Sequence, residues 1–261
     1  MKVAVVIPAC NEERAIGKVV AAIPQPPVSA IIVANNNSSD HTAAVARAAG
    51  AQVVEEPQAG YGAACLTGVN AAAQLGADLI VFLDGDYSDY PEEIPALIAP
   101  IVAGEADMIV GSRVLGQRER GSLTPQQRFG GWLACQLMKL FWGARYTDLG
   151  PFRAIAMPAL KRLNMQDRDY GWTVEMQIKA ARAGLRVQEM PVRYRKRIGV
   201  SKVSGTVKGV VLASYKILWT IFKYALQPAP VAGKTGQRLY VTGQNHAAAK
   251  QNLSSKLNHE N

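Results

Sequence analysis

Five short apolar runs, rich in β-branched residues, recur over residues 2–112 of this 261-residue chain, and helical patterns separate them. The runs read KVAVVIP, AIIVA, AQVVEE, DLIVFLD and DMIVGS. Continuous apolar runs of this length are typical of a parallel sheet that is covered on both faces. The regular alternation of strand and helix therefore predicts a doubly wound α/β fold, with a Rossmann-like, mostly parallel sheet and helices on both faces.

Polar motifs follow these strands or lead into the next helix: PACNEE, NNNSSD, GYG and DGDYSD. In open α/β sheets, ligands bind beyond the carboxyl ends of the strands. The polar motifs are therefore expected to meet at one edge of the sheet and to form a single site there.

One of these motifs places three carboxylates, Asp84, Asp86 and Asp89, within six positions. Clustered carboxylates repel one another, so a compensating cation is expected. A divalent ion suits oxygen ligands and can hold a substrate phosphate on its remaining positions. The alternative is an acidic surface turn in which one aspartate caps the helix after Pro91.

Charge is distributed unevenly along the chain. Residues 1–160 contain 11 Lys and Arg against 15 Asp and Glu, a net charge of −4, and residues 161–261 contain 18 against 5, a net charge of +13. The basic half indicates an anionic partner: nucleic acid, a membrane surface or a phosphorylated substrate. The absence of a recognised nucleic-acid-binding motif disfavours nucleic acid.

Three cysteines, Cys10, Cys65 and Cys135, lie far apart and have no paired spacing, which favours a reducing compartment. The N-terminal apolar run is too short for a signal peptide and reads as a first strand. Charged residues interrupt every long apolar window, so a simple membrane span is not expected.

The ordered motifs VVIPACNEE, NNNSSDHT, GYGAA, FLDGD, GSR, GPFRAI and GWTVEM resemble those of the family 2 glycosyltransferases. Within that family, they are most similar to the branch with dolichyl-phosphate mannose synthase and the bacterial polyprenyl-phosphate sugar transferases. The resemblance covers Met1 to Lys208. It implies a glycosyltransferase-A (GT-A) fold, a nucleotide-diphospho-sugar donor, an Mg²⁺ or Mn²⁺ ion, transfer with inversion, and a polyprenyl-phosphate acceptor.

The resemblance also assigns roles to individual residues. Pro8, Asn11 and Glu12 match the first nucleotide-binding loop, and Gly60 lies in a donor-binding motif. Asp84 and Asp86 match the carboxylates that hold the metal and the ribose. Asp86 is predicted to be the direct metal ligand, with Asp84 shared between metal and ribose. Relatives often carry a glutamine where this chain has Ser88, so water is expected to complete the metal's ligands.

Asn35 and Asn36 replace two residues that are acidic in most of the family. A carboxylate only accepts hydrogen bonds and suits the paired donors of guanine, whereas an amide both donates and accepts and matches uracil. A UDP-sugar such as UDP-glucose is therefore favoured over GDP-mannose. The alternative is that the asparagines only shape a turn.

Arginines of the second half are expected near phosphates. By position, Arg113, Arg128 and Arg153 match basic groups that the family places near acceptor or donor phosphates. The segment RYRKRIGVSKVSG is predicted to run as a strand with Arg193, Arg195 and Arg197 on one face, followed by a lid that carries Ser201 and Lys202. Relatives use a similar segment over the diphosphate.

Glu175 lies where many inverting relatives have a catalytic base. A base is needed for a neutral hydroxyl acceptor, whereas a phosphate acceptor is already anionic near neutral pH. Glu175 is thus a candidate base, a group that orients the acceptor or nearby arginines, or simply an acid that the helix dipole favours in a first turn.

The sequence predicts four segments. Residues 1–115 form a nucleotide-sugar-binding half and residues 116–205 form the acceptor-binding half of the same catalytic domain. Residues 206–227 form an amphipathic interfacial helix on anionic lipid, and residues 228–261 form a flexible polar tail. The helix is alternatively a core element or a homodimer seam. The expected location is cytoplasmic, peripherally attached to the inner face of the membrane.

Three functional alternatives remain at this point. A transferase with a soluble acceptor would use the same donor chemistry, and a non-catalytic nucleotide-sugar-binding protein would keep the same cavity. A nucleotidyltransferase is disfavoured because such enzymes place a glycine-rich, basic loop after the first strand, and PACNEE is acidic and lacks glycine.

Overall fold

The structure is a computed structural model and describes residues 1–199 and 206–228. The strands are β1 (Val3–Ala9), β2 (Val28–Asn35), β3 (Gln52–Glu55), β4 (Leu79–Phe82), β5 (Met108–Ser112), β6 (Arg153–Ala156) and β7 (Val187–Pro191). The helices are α1 (Ile16–Ala22), α2 (Thr42–Ala48), α3 (Tyr61–Gln74), α4 (Ile94–Val102), α5 (Pro125–Trp142), α6 (Met157–Leu163), α7 (Trp172–Arg182) and α8 (Val207–Leu226), and a short 3-10 turn precedes α4.

The strands form one seven-stranded sheet in the order β3-β2-β1-β4-β6-β5-β7. Strands β1 to β4 pair in parallel, and β5 pairs with β7 in parallel. Strand β6 runs antiparallel to both of its neighbours, β4 and β5. The five strands expected from the apolar runs are all present, and the sheet is mostly parallel with helices, which confirms the predicted fold class.

Both faces of the sheet are buried, as the continuous apolar runs require. In β1, Ala4 and Val6 belong to one hydrophobic cluster, and Val5 and Ile7 point to the other. Helices α3 and α5 to α8 pack on the first face, whereas α1, α2 and α4 pack on the second. Because successive side chains of a strand alternate between faces and both faces are covered, every residue of β1 is buried.

Helix α5 has clear end signals in the sequence. The Thr124 side chain accepts a hydrogen bond from the Gln127 backbone N–H, and the Gln127 side-chain oxygen accepts one from the Thr124 backbone N–H. Pro125 begins the helix. Gly143 ends it in the left-handed region, with φ 66°. Only Ala134, Cys135 and Met138 are buried in this helix.

Helix α8 is buried on one side only. It packs against α5 and α7, with Thr220, Ile221 and Tyr224 buried. Burial of Ile221 alone contributes about 1.5 to 3 kcal/mol. Val210, Ile217 and Leu218 are half-buried. Six large apolar side chains of the helix are exposed: Val211, Leu212, Tyr215, Trp219, Phe222 and Leu226.

The predicted C-terminal apolar helix is therefore present, and the alternative of packing against the core holds for one face. By length and composition, Gly209–Leu226 could cross a membrane. The sequence analysis predicted no membrane span, because charged residues interrupt the apolar windows. The division of the chain at residues 115, 205 and 227 stays a prediction. The expected polar tail lies outside the described residues beyond Pro228.

Candidate active site

A cavity of about 450 Å³ opens at the carboxyl ends of β1, β2 and β4, beside the start of α3. Polar motifs that are far apart in sequence meet there, as the parallel strands predict. Seven of the predicted site residues line the cavity: Pro8, Glu12, Asn36, Gly60, Asp84, Asp86 and Arg197. We call this the donor cavity, after the role that the sequence predicts for its residues.

The lining of the donor cavity also includes Cys10, Tyr61, Asp169 and Tyr170. Cys10 lies in the PACNEE motif and Tyr61 in the GYG motif, next to predicted site residues. Asp169 and Tyr170 come from the loop before α7, and no pattern in the sequence marks them.

The turn after β4 fixes Asp86. Its Oδ1 accepts hydrogen bonds from the backbone and the hydroxyl of Ser88, which is fully buried. Tyr87, between them, adopts a left-handed conformation with φ 64°. The serine that stands where relatives often carry glutamine thus orients the neighbouring carboxylate.

Asp84 also lines the cavity and accepts a hydrogen bond of 3.2 Å from the Tyr61 hydroxyl. Burial, and then the charge of Asp86, raise the pKa of the Asp84 carboxyl to about 7. Burial, followed by the charges of Asp84 and Asp86, also holds the pKa of Asp89 well above its ordinary value. The described side chains therefore leave this carboxylate cluster short of positive charge.

Arg197 supplies part of that charge. Its guanidinium lies 3.0 Å from Glu12 and 3.2 Å from Asp86, and the backbone N–H of Ile198 donates to the Asp86 carbonyl. The segment from Arg195 to Ile198 therefore crosses directly over the carboxylate turn.

The prediction of a strand with three arginines on one face is wrong. Tyr194 makes only isolated bridges, with Asp89 and Arg118. Arg193 pairs with Glu93, while Arg195 stacks on Tyr87 and donates to backbone carbonyls of the carboxylate turn.

Each arginine of this segment thus has its own partner, and of the three only Arg197 lines the donor cavity. The predicted lid residues Ser201 and Lys202 lie outside the described residues.

The carboxylates fit a divalent cation. Hard cations favour carboxylate oxygens, and Mg²⁺ is usually held by one or two carboxylates together with substrate phosphates. Asp84 and Asp86 provide those two groups. Within residues 1–199 and 206–228, no cluster of three or more His, Cys, Asp or Glu side chains has a metal-binding arrangement. The donor's phosphates and water would therefore complete the ligands.

Asn11 and Asn36, both predicted to bind the nucleotide, form hydrogen bonds with backbone groups of neighbouring loops. The Asn11 Oδ1 accepts from the backbone of Ser39, which ties the first loop to the loop after β2. The Asn36 amide donates to the Glu56 and Gln58 carbonyls and accepts from Gly60. These bonds occupy the Asn36 amide, so Asn36 shapes the cavity wall. Its predicted hydrogen bonding to uracil therefore loses support.

A second cavity of about 420 Å³ lies beyond the end of β5 and beside the start of α5. Arg113, Arg118 and Arg128 line it together with Phe129 and Trp132. Arg113 forms a two-pronged ion pair with Asp148, both contacts 2.7 Å long. We call this the basic cavity, because three guanidinium groups and an aromatic wall meet there.

Besides Asn11, two predicted site residues of the described chain line neither cavity, Arg153 and Glu175. Arg153 is buried, and its guanidinium donates to the backbone carbonyls of Leu149, Gly150 and Thr173. These bonds hold together the loop before β6, so a direct phosphate contact by Arg153 is disfavoured.

Glu175 is buried in the first turn of α7, as the helix-dipole alternative expected. Its carboxylate accepts from the Gln166 and Asp167 backbone, from the Tyr224 hydroxyl and from Lys179. Burial raises its pKa, but the bonds with Lys179, Asp167 and Tyr224 outweigh this effect and hold it below the ordinary value. A buried, fully bonded carboxylate is a poor candidate for a general base.

Asp84→Asn is expected to stabilise the metal-free protein at alkaline pH. Since the folded pKa of Asp84 is about 7 and its ordinary value is 3.8, the folded chain binds that proton more tightly than the unfolded chain. The free energy of unfolding should therefore fall as pH rises through this window and stay reduced above it. The gain from Asp84→Asn should be on the order of 2 to 4 kcal/mol near pH 8 and vanish near pH 4.

Thermal unfolding at both pH values in the presence of a chelator would measure this. Asp78→Asn, just before the opposite end of β4, is the matched control, since Asp78 lies outside the carboxylate cluster. An equal increase in the free energy of unfolding of Asp84→Asn at both pH values would contradict the raised pKa of Asp84.

The sheet and its flanking helices form a GT-A-like fold. Glucosyl-3-phosphoglycerate synthase from Mycobacterium tuberculosis, crystallised with Mn²⁺, UDP and glucosyl-3-phosphoglycerate, superimposes with a TM-score of 0.68. The match covers 87% of this chain and 81% of that one at 23% sequence identity. The model of glycosyl transferase family 2 matches residues 4–163, and the chain belongs to this family. The predicted resemblance is thereby confirmed.

Relatives with higher identity span most of the chain. An uncharacterised glycosyltransferase of Mycobacterium tuberculosis is 37% identical over 219 residues, which cover 81% of this chain and 94% of the relative. A dolichyl-phosphate hexose transferase of Haloferax volcanii is 30% identical over 215 residues, 80% of this chain and 90% of the relative. An undecaprenyl-phosphate mannosyltransferase of Micrococcus luteus is 28% identical over 155 residues, 58% of this chain and 63% of the relative.

Proposed function

We propose that this family 2 glycosyltransferase transfers a hexose from a UDP-sugar to a polyprenyl phosphate, with inversion and with the help of Mg²⁺ or Mn²⁺. Membership of this family disfavours the alternative of a non-catalytic nucleotide-sugar-binding protein. The choice of donor is supported by the solved neighbours, which contain UDP and Mn²⁺ or Mg²⁺. The choice of acceptor is supported by relatives named for dolichyl- and undecaprenyl-phosphate.

In this proposal, the donor cavity binds the nucleotide sugar. Pro8, Glu12 and Gly60 form its walls, and Asp84 and Asp86 would hold the metal ion. The ion would stabilise the charge that develops on the departing diphosphate. Arg197, already beside Asp86, would pair with the same diphosphate.

The basic cavity would bind the acceptor phosphate. Arg113 and Arg128 offer guanidinium groups, which suit phosphate oxygens in a two-pronged geometry. A phosphate acceptor is anionic near neutral pH and needs no base, which agrees with the enclosed position of Glu175. Asp148 keeps Arg113 fixed in place.

One observation carries the choice of a lipid acceptor over a soluble one. Phe129 and Trp132 line the basic cavity, yet they are 63% and 55% exposed. Further exposed apolar side chains lie at the far end of α5, where Phe141 contacts Phe222 of α8. A phosphate with a long apolar tail could therefore place its head among arginines and its tail along this surface.

The same surface supports peripheral attachment to the inner face of an anionic membrane. Soluble monomers seldom expose apolar patches of this kind, and aromatic side chains suit the boundary between lipid headgroups and tails. The alternatives are a homodimer seam on this face and a soluble phosphorylated acceptor. The named acceptor of glucosyl-3-phosphoglycerate synthase favours the latter.

A transfer assay with radiolabelled UDP-glucose and Mn²⁺ would test the proposal. Polyprenyl phosphate should become labelled, and 3-phosphoglycerate should not. Arg128→Gln should raise the KM for the acceptor about tenfold, since an ionic hydrogen bond contributes about 1.5 to 3 kcal/mol. Lys139→Gln, on the same helix but outside both cavities, is the control. Labelling of 3-phosphoglycerate alone would favour the soluble acceptor.

A further inference from the structure

The loop of residues 166–171 forms one wall of the donor cavity. Asp169 and Tyr170 line the cavity, and the backbone of the loop lies against the start of α3. The Ala63 N–H donates to the Arg168 carbonyl over 2.9 Å. A Cβ atom at Gly60 would lie 2.1 Å from that same carbonyl oxygen. The width of the donor cavity therefore depends on where this loop sits.

Glu175 holds this loop from behind. Its carboxylate accepts from the Asp167 backbone at 2.8 Å and from the Gln166 backbone at 3.1 Å. The same carboxylate accepts from the Tyr224 hydroxyl of α8 at 2.7 Å. One buried group thus bonds both to the wall of the donor cavity and to the C-terminal helix.

Asp167 makes a second link of the same kind. Its Oδ1 accepts from the backbone of Asp169 and Gly171, which fixes the turn of the loop. Its Oδ2 lies 3.1 Å from the Lys216 ammonium group of α8. The Glu175 and Asp167 carboxylates therefore connect the loop to α8, at two α8 residues that lie about two helical turns apart.

We propose that Glu175 and Asp167 are positioning residues that make the affinity of the donor cavity for its nucleotide depend on the docking of α8. They touch no part of the cavity interior themselves. They act through the loop that presents Asp169 and Tyr170 and lies against Gly60. This inference rests on the proposed function, since it takes the cavity to be the UDP site.

Coupling of this kind works in both directions. If docking of α8 improves nucleotide binding, then nucleotide binding must hold α8 more firmly by the same factor. A surface that α8 contacts, such as a membrane, would then be sensed at the donor cavity. Lys216 and Tyr224 would transmit the effect, because they are the α8 groups bonded to the two carboxylates.

The test measures the Kd of UDP with Mn²⁺ by calorimetry. Tyr224→Phe and Lys216→Met should each weaken binding at least about threefold, because the first removes a hydrogen bond and the second an ion pair to a carboxylate that holds the loop. Tyr215→Phe and Lys223→Met are matched controls on the same helix and should leave the Kd unchanged. Tyr224→Phe removes a single oxygen and is the variant most certain to fold.

A purely structural role would give a different result. Tyr224→Phe would then lower the melting temperature but leave the Kd of the folded protein unchanged, which would overturn the proposal. In the wild type, UDP with Mn²⁺ should slow amide hydrogen exchange across residues 209–226, and unchanged exchange would also overturn it. If wild-type protein binds no UDP at all, the proposed donor site fails, and the coupling fails with it.

Discussion

Asp86→Asn is expected to lower the rate of sugar transfer by at least about 10³-fold while leaving the chain folded. A metal ion at a departing diphosphate is worth several kcal/mol in the transition state, and each 1.36 kcal/mol changes the rate tenfold. Asp86 is the predicted direct ligand, and Ser88 and Arg197 hold it in the donor cavity. Transfer assays with saturating UDP-sugar and Mn²⁺ would measure the loss.

The fold should survive because the substitution removes one of several repelling charges. The Ser88 hydrogen bonds can pass to the asparagine oxygen, and Arg197 keeps its contact with Glu12. Asp78→Asn provides the control, since it makes the same substitution at a carboxylate beside the other end of β4. Transfer by Asp86→Asn within tenfold of the wild-type rate would refute the metal-binding role.

The second large effect concerns the exposed face of α8. The double variant Trp219→Ser/Phe222→Ser should weaken binding to anionic vesicles by at least about tenfold, because burial of apolar surface contributes about 25 cal/mol per Å². Both side chains are about half exposed, at 54% and 46%. Their replacement should therefore leave the core intact. Sedimentation with phosphatidylglycerol vesicles at low salt would measure the binding, and high salt should weaken it.

Val102→Ser is the matched control for this variant. Val102 ends α4 on the opposite face of the sheet and is also 54% exposed. Removal of the whole helix would be a poor test, because α8 contributes buried Ile221 and the Tyr224 bond to Glu175. If the wild-type protein ignores vesicles, this surface is not a membrane contact, and sedimentation equilibrium would then test it as a homodimer seam.

The sequence predicts the site best where residues directly follow strands. The turn with Asp84 and Asp86, the loop with Glu12 and the start of α3 at Gly60 are all fixed by the carboxyl-edge rule for parallel sheets. Local sequence determines where each strand ends, and the sheet order brings those ends together. Metal binding and donor binding at these residues stay predictions.

The sequence is less informative wherever burial decides a role. Arginine and glutamate are usually exposed, so nothing local shows that Arg153 and Glu175 are enclosed and bonded to backbone groups. Strand β6 has only four residues and runs antiparallel, against the pattern of its neighbours. Asp169 and Tyr170 reach the donor cavity only through the packing of their loop against α3.

The antiparallel strand β6 has a consequence for how this enzyme could change its substrate over evolution. The chain leaves the sheet after Ser112 and returns at Arg153 in the strand beside the one it left. That single excursion carries Arg118, Arg128, Phe129 and Trp132, while the carboxylate turn belongs to a different part of the chain. Residues 113–152 thus form one continuous excursion between neighbouring strands. If the proposed acceptor site is correct, a descendant could change its acceptor through substitutions at the exposed side chains of this excursion while its carboxylate turn stays unaltered.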